Sequence, residues 1–390
     1  MADGRWEEMA EESGGTEGPL QGVRVLDLSR VVAAPFAAMA LGEMGATVVK
    51  VERAGVGDDT RHWGPPFVEG ESAYYLSVNR NKSDLALDLS RPPARDVVRR
   101  MAVEWADVVL ENFRAGTLER WGLGLADLRE ANPRLVTATI RGYPEGDDRP
   151  GYDFVVQAGS GLMSLTGPPD GEYYKVGAPT ADLSSGLFLL SGILGALYQR
   201  ERTGRGQHVS ISLWEAQVSL LVNANQACLA TGRTPPRLGN AHPQVSPYEV
   251  YHAPDGPLAI AAGNDGQFRA LAQALGHPEW TADPRFAANV DRVAHRAELA
   301  EEIDAALAGP GAGSREAVLD RLTRAGVPCG PLRTVDEVLA SPEAELAGLV
   351  QIVPHRRIGP LPVVRLPWRF SGSATGPRSA PPVLGEHTLA

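Results

Sequence analysis

Residues Gly22 to Arg53 read GVRVLDLSRVVAAPFAAMALGEMGATVVKVER, and this stretch decides the fold. Val23–Leu28 reads as a short strand that ends in polar residues. "AAPFAAMALGEMGA" then has the composition of a helix and is closed by Gly45, and Thr47–Arg53 is a second, β-branched run. Strand, helix and strand in that order make a parallel βαβ unit, because parallel strands need a crossover between them. The alternation continues outward through helix "ARDVVRRMAVEWA", strand "DVVLENF", helix "LADLREANP" and strand "LVTATIRG". A further strand over His208–Leu213 is followed by another helix. The expected fold is therefore α/β, with a large doubly wound, Rossmann-like domain that takes ligands at the carboxyl ends of its strands. The fingerprint G-x-G-x-x-G does not follow the first strand; Val31-Val32-Ala33-Ala34-Pro35 stands there instead, which disfavours a nicotinamide oxidoreductase.

Beyond Asn223 the texture changes to loops, a hairpin signalled by Asp255-Gly256, and short helices, the expectation for a smaller α+β domain. The domain boundaries read from sequence are an acidic mobile tail over 1–20, the large domain over 21–222, the small domain over 223–330, and a Pro-rich return over 331–390. A chain of 390 residues exceeds what one simple core serves. A net charge of -11 argues against nucleic acid or acidic membranes as partners. Cys228 and Cys329 are too few for a disulfide framework or a Cys-rich zinc site, and they suit a reducing cytoplasm. The tail lacks the apolar core of a signal peptide, and the apolar run Leu183–Tyr198 is short for a membrane span, so a buried helix is expected there.

One acidic residue stands out. Asp182 lies between the turn-rich "LTGPPDGEYYKVGAPT" and the apolar run "LSSGLFLLSGILGALYQR", where it reads as a helix N-cap. The helix dipole and the free N–H groups would keep such a carboxylate ionised, and the loop before it would leave it reachable. An ordinary capping residue and a nucleophile able to carry an acyl group both fit that position.

Eight segments in register favour the nucleophile, and the two roles can hold at once. "VLDLSRVVAAPFAAMALGEMGATVVKVER", "YYLSVNRNKSDLALDL", "DVVLENFRAGTLERWGLG", "GYDFVVQAGSGLMSLTG", "ADLSSG", "TGRGQHVSISLWEA", "GVPCGP" and "PPVLGEHT" together resemble the class III CoA-transferases, the CaiB/BaiF type, which include formyl-CoA transferases and α-methylacyl-CoA racemases. The resemblance implies that Asp182 is the catalytic carboxylate, forming an anhydride with the acyl group and then a thioester with CoA. It implies CoA contacts at Val32 and Ala33, at Arg53 and Arg120 for the phosphates, from Leu87 to Ser90, and at Asn112 and Phe113. Trp63, Tyr74, Tyr152 and Asp153 match positions near the acyl and acceptor groups. It further implies an interlocked homodimer, acyl-CoA and a carboxylic acid as substrates, and neither metal nor permanently bound cofactor.

Tyr152 separates the branches. The racemases carry a histidine there as an acid/base partner, and a phenol of pKa about 10 is poorly matched to shuttling an α-proton at neutral pH. Transfer of CoA is thus the expected reaction, with racemisation or non-catalytic acyl-CoA binding as the alternatives. The glycine run of formyl-CoA transferases is missing from the small-domain loop, which reads "GNAHPQVSPYEVY", closer to members acting on dicarboxylates such as succinate and glutarate. His242 in that loop has two readings, as a ligand for a substrate carboxylate or as the cap of a turn.

Overall fold

The computed structural model describes residues Gly18 to Thr388; the tail expected over 1–20 lies, as far as residue 17, outside the described residues. Strand β1 (Arg24–Asp27), helix α1 (Ala33–Glu43) and strand β2 (Thr47–Arg53) form the opening βαβ unit. Alanine dominates α1, favouring the helix and keeping its girth small, and every residue but Phe36 is buried. Gly45, at φ 108°, makes the left-handed turn that releases the chain into β2.

Four more strands join: β3 (Lys82–Leu87), β4 (Val108–Glu111), β5 (Val136–Arg141) and β6 (His208–Ser212). Their order in the sheet is β3-β2-β1-β4-β5-β6, every pair parallel. The chain reverses its direction of winding between β1 and β4, and ligands of open α/β sheets bind at that switch point. The helix expected over 94–106 is regular only from Pro92 to Arg100 and continues as a wider π turn over Met101–Trp105.

Between β5 and β6 lie helices α2 (Asp153–Gly159) and α3 (Thr180–Thr203), with a single helical turn over Leu162–Leu165 between them. Leu189, Leu190, Ile193 and Ala196 of α3 pack with Ala34, Ala37, Ala38 and Leu41 of α1 and with Val108, Leu110 and Ala138 of the sheet. Small residues set this approach: a Cβ added at Gly186 would stand 2.6 Å from the Ala33 carbonyl oxygen. The opposite sheet face is covered by Val98, Met101, Leu118 and Leu128 against Leu26, Val49 and Val109. At 24 residues α3 outruns the apolar stretch read from sequence and is long and apolar enough to cross a bilayer, yet half of its most apolar window is buried, as in a core helix.

The chain forms two compact units. The first comprises the described residues up to Leu162 with Lys175–Thr231 and Pro342 onward; the second comprises Met163–Tyr174 with Gly232–Ser341. The transition thus falls at Gly232 instead of 223, because helix Val222–Thr231 stays with the first unit, Asn225 donating to the Val218 carbonyl at 2.7 Å. An excursion at 163–174 is invisible in sequence pattern. It joins the second unit through Gly239 N–H to the Gly167 carbonyl (3.1 Å) and Arg237 to the Gly171 carbonyl (2.8 Å). In that unit β7 (Tyr248–Ala253) and β8 (Gly256–Ala261) form the expected hairpin, and β9 (Cys329–Pro331) adds to β8. The unit runs on past 330 to Ser341, so the return to the first unit starts at Pro342. That return is pinned to β3, where the Asp84 carbonyl accepts from the His387 N–H (3.1 Å) and the Asp84 N–H donates to His387 Nδ1 (3.1 Å).

Candidate active site

Two cavities open in the first unit. One, of about 430 Å3, is lined by Val31, Val32 and Ala33 after β1, Asn112 and Phe113 after β4, Tyr152, and Asp182. The other, of about 390 Å3, is lined by Arg53 at the end of β2, Leu87 to Ser90 after β3, and Phe113, Thr117 and Trp121. Arg30, Phe113 and Arg114 belong to both linings.

Asp182 is not the helix cap. It is the third residue of α3, and the cap position is Pro179, whose side chain has no acceptor to offer. Asp153 does the capping from the start of α2: its Oδ1 accepts from the N–H groups of Ala181 (2.8 Å) and Asp182 (3.4 Å). Its Oδ2 accepts from Gln157 Nε2 (2.7 Å), and Gln157 Oε1 accepts from Val176 N–H (2.9 Å), which fixes the loop leading into α3.

This arrangement works against the ionised form that the sequence reading expected. With the helix donors taken by Asp153, burial pushes the Asp182 carboxyl up to about 7, and the Asp153 charge beside it pushes the same way. A carboxylate held at that pKa is more basic than an ordinary aspartate and can ionise near neutrality, which suits a nucleophile. Tyr74 stands close to both: burial raises its hydroxyl, and the charges of Asp182 and Asp153 raise it further. Its ring meets Trp63 edge to face, centroids 5.1 Å apart. Tyr152 leaves 59% of its surface exposed and lines the Asp182 cavity.

The loop after β1 is held on every side. Asn112 accepts from Arg30 N–H (2.9 Å) and donates to the Arg30 carbonyl (2.7 Å), so its side chain grips the loop backbone. Below it runs a buried chain of charge. Lys82 Nζ binds Asp27 Oδ2 (2.9 Å), and Lys50 Nζ binds Asp58 Oδ2 (3.0 Å) and the Ser29 carbonyl (2.6 Å). Burial alone would raise the Asp58 carboxyl; the Lys50 ammonium and donors from Thr60 outweigh it and hold the group below its ordinary value. The N–H groups of Val32 and Ala33 have no hydrogen-bond partner among the described residues, leaving donors in the Asp182 cavity.

Of the residues read from sequence, Val32, Ala33, Asn112, Phe113, Tyr152 and Asp182 share the first cavity, and Arg53, Leu87, Ser90 and Phe113 the second. Arg120 lines neither; its guanidinium donates to the Thr117 hydroxyl (3.0 Å). His242 belongs to the second unit, where its Nδ1 accepts from Gln244 N–H (3.1 Å), the geometry of a turn cap. Arg114 escaped the sequence reading although it directly follows Asn112-Phe113. The side chains of Arg53 and Arg114 have no ion-pair partner among the described residues, so each offers an unneutralised guanidinium to an anion. Among the described residues no cluster of His, Cys, Asp and Glu could hold a metal ion.

The chain belongs to CoA-transferase family III, whose sequence model matches residues 20–388, and is an enzyme of that class acting on CoA thioesters. It is 42% identical over 378 residues to a succinate–glutarate CoA-transferase of Agrobacterium fabrum, covering 95% of this chain and 94% of that one. To a human succinyl-CoA:glutarate CoA-transferase it is 37% identical over 381 residues, covering 95% and 84% of the two chains. Among solved structures it is similar to a CaiB/BaiF family protein from Brucella suis, at TM-score 0.84 and 40% identity over 95% of this chain and 98% of that one.

Proposed function

We propose that the enzyme moves CoA from succinyl-CoA, or a similar donor, to a short dicarboxylate such as glutarate, with Asp182 as the carrier. The observation that supports this most is the raised Asp182 carboxyl in a cavity beside unpartnered N–H groups; the relatives' names supply the substrate class.

In the first step the Asp182 carboxylate attacks the thioester carbonyl, the C–S bond breaks, and CoA leaves as thiolate from a mixed anhydride. The thiolate then attacks the aspartyl carbonyl, releasing the donor acid and leaving CoA joined to Asp182 as a thioester. The acceptor carboxylate attacks that thioester carbonyl and expels CoA again, now beside a second anhydride. A last attack by thiolate, on the acceptor's carbonyl, forms the product thioester and restores Asp182. Each step trades one activated acyl group for another, so no ATP is consumed. The Val32 and Ala33 N–H groups, unpartnered in residues that line the Asp182 cavity, would take up oxyanion charge. Arg53, Leu87, Ser90, Asn112 and Phe113 would receive the CoA nucleotide and arm, with Arg114 joining them and Arg120 acting from the periphery. Trp63, Tyr74, Tyr152 and Asp153 would surround the acyl groups.

The working form in this reading is a homodimer in the cytoplasm; the pairing of copies is supported by the apolar side chains of Leu187, Phe188 and Tyr198, which are 45%, 40% and 68% exposed on α3. Hydroxylamine added during turnover should trap the anhydride as a hydroxamate on the Asp182 peptide, seen by mass spectrometry. Glutaryl-CoA formation with no such adduct, and with full activity in Asp182→Ala, would discard the mechanism.

A further inference from the structure

Val31 is bent into the left-handed region, at φ 72°, a conformation that a β-branched residue adopts only under constraint. The constraint is visible. Its N–H donates to both carboxylate oxygens of Asp58, each at 3.2 Å, and Asp58 is in turn held by Lys50 at 3.0 Å and by the Thr60 N–H and hydroxyl at 3.0 and 2.8 Å. Asp58 and Lys50 are buried, at 3% and 0% exposure, so the pair resists solvent and salt. Directly after Val31 come the two unpartnered N–H groups of Val32 and Ala33. The Ala33 carbonyl oxygen is the atom that Gly186, one helical turn beyond Asp182, lets α3 approach.

We infer that Asp58 is a positioning residue for CoA transfer: by holding Val31 left-handed it aims the Val32 and Ala33 N–H groups at the acyl carbonyl on Asp182. A buried ion pair adds little net stability compared with an apolar pair of equal volume, and its attested use is to specify one conformation. Here the conformation specified is that of the loop at the switch point. Without Asp58, Val31 relaxes to an extended conformation and the two donors turn away from the cavity. This inference rests on the transferase reading.

The test measures kcat and KM for succinyl-CoA and glutarate in Asp58→Ala, Asp58→Asn and each of these combined with Val31→Gly, with circular dichroism to verify folding. Glycine adopts the left-handed conformation without a restraint, so it should restore the loop though not the Lys50 pair. The expected result is a kcat lowered by about 10²-fold in Asp58→Ala, the size of effect a misplacement near 1 Å produces, with KM for succinyl-CoA much less changed. Adding Val31→Gly should return at least about tenfold of that loss, because positioning is recovered. A role in stability alone predicts no rescue, since Lys50 still lacks its carboxylate partner in the double variant. Should the alanine variant not fold, the asparagine variant, nearly equal in volume, decides by the same comparison. A folded Asp58 variant with wild-type kcat, or a loss that Val31→Gly leaves untouched, overturns the inference. If wild-type enzyme makes no glutaryl-CoA, the transferase reading itself fails and the inference falls with it; an active wild type beside fully active variants removes the inference alone.

Discussion

Replacing Asp182 with asparagine removes one ionisable group and nearly nothing else, which makes its effect on stability calculable. In the folded protein the carboxyl is pushed up to about 7 from 3.8, first by burial and then by Asp153. Between those two pH values the folded chain keeps a proton that the unfolded chain has already released. Folding stability therefore declines as pH rises through that window and levels off above it. The displacement corresponds to about 4 kcal/mol, and water reaching the part-exposed carboxyl reduces this to about 2–4 kcal/mol. Asp182→Asn escapes the penalty. Urea denaturation at pH 8 should show the variant more stable than wild type by that amount, with the gap shrinking below about 1 kcal/mol near pH 4. The same variant should lose CoA exchange by at least about 10³-fold, as expected when a nucleophile is removed. A stability difference of equal size at pH 4 and pH 8, or a variant less stable at pH 8, would refute the raised pKa.

Three other perturbations follow from the geometry. Asp153→Asn removes the neighbouring charge while keeping an acceptor for the α3 N–H groups, so the acidic limb of the pH–rate profile, near 7 in wild type, should move to lower pH; an unmoved limb would remove Asp153 from the account. Arg53→Ala and Arg114→Ala should each weaken CoA binding by about 1.5–3 kcal/mol, seen by calorimetry, with Arg120→Ala weakening it less because that side chain lines neither cavity; an Arg120 effect exceeding both would reverse the assignment. In heavy water with a 2-methylacyl-CoA, no deuterium should appear at the α-carbon, because Tyr152 supplies no imidazole opposite Asp182, and rapid exchange seen by NMR would favour racemase chemistry.

The parallel sheet was legible in sequence because its signals are local. Thr47–Arg53 appears in the structure with the bounds read from its β-branched run, and the alanine-rich helix ends where Gly45 stops it. Asp182 was singled out in sequence by the motif "ADLSSG" together with the seven segments in register around it. Its environment was not. A carboxylate at a helix start reads as a cap, and only the packing of α2 against α3 gives the capping to Asp153 and leaves Asp182 with a raised pKa. The same limit hid the charges beneath the switch-point loop. Lys82 and Asp27 are 55 positions apart, and sheet register alone decides that they meet. Val31 looked like one more apolar residue after a strand, and its left-handed backbone follows from an aspartate 27 positions away. Periodicity and turn chemistry belong to neighbouring residues and can be read along the chain. Desolvation, pairing of buried charge and the aim of a free N–H depend on which distant segments fold together, and tertiary structure decided all three.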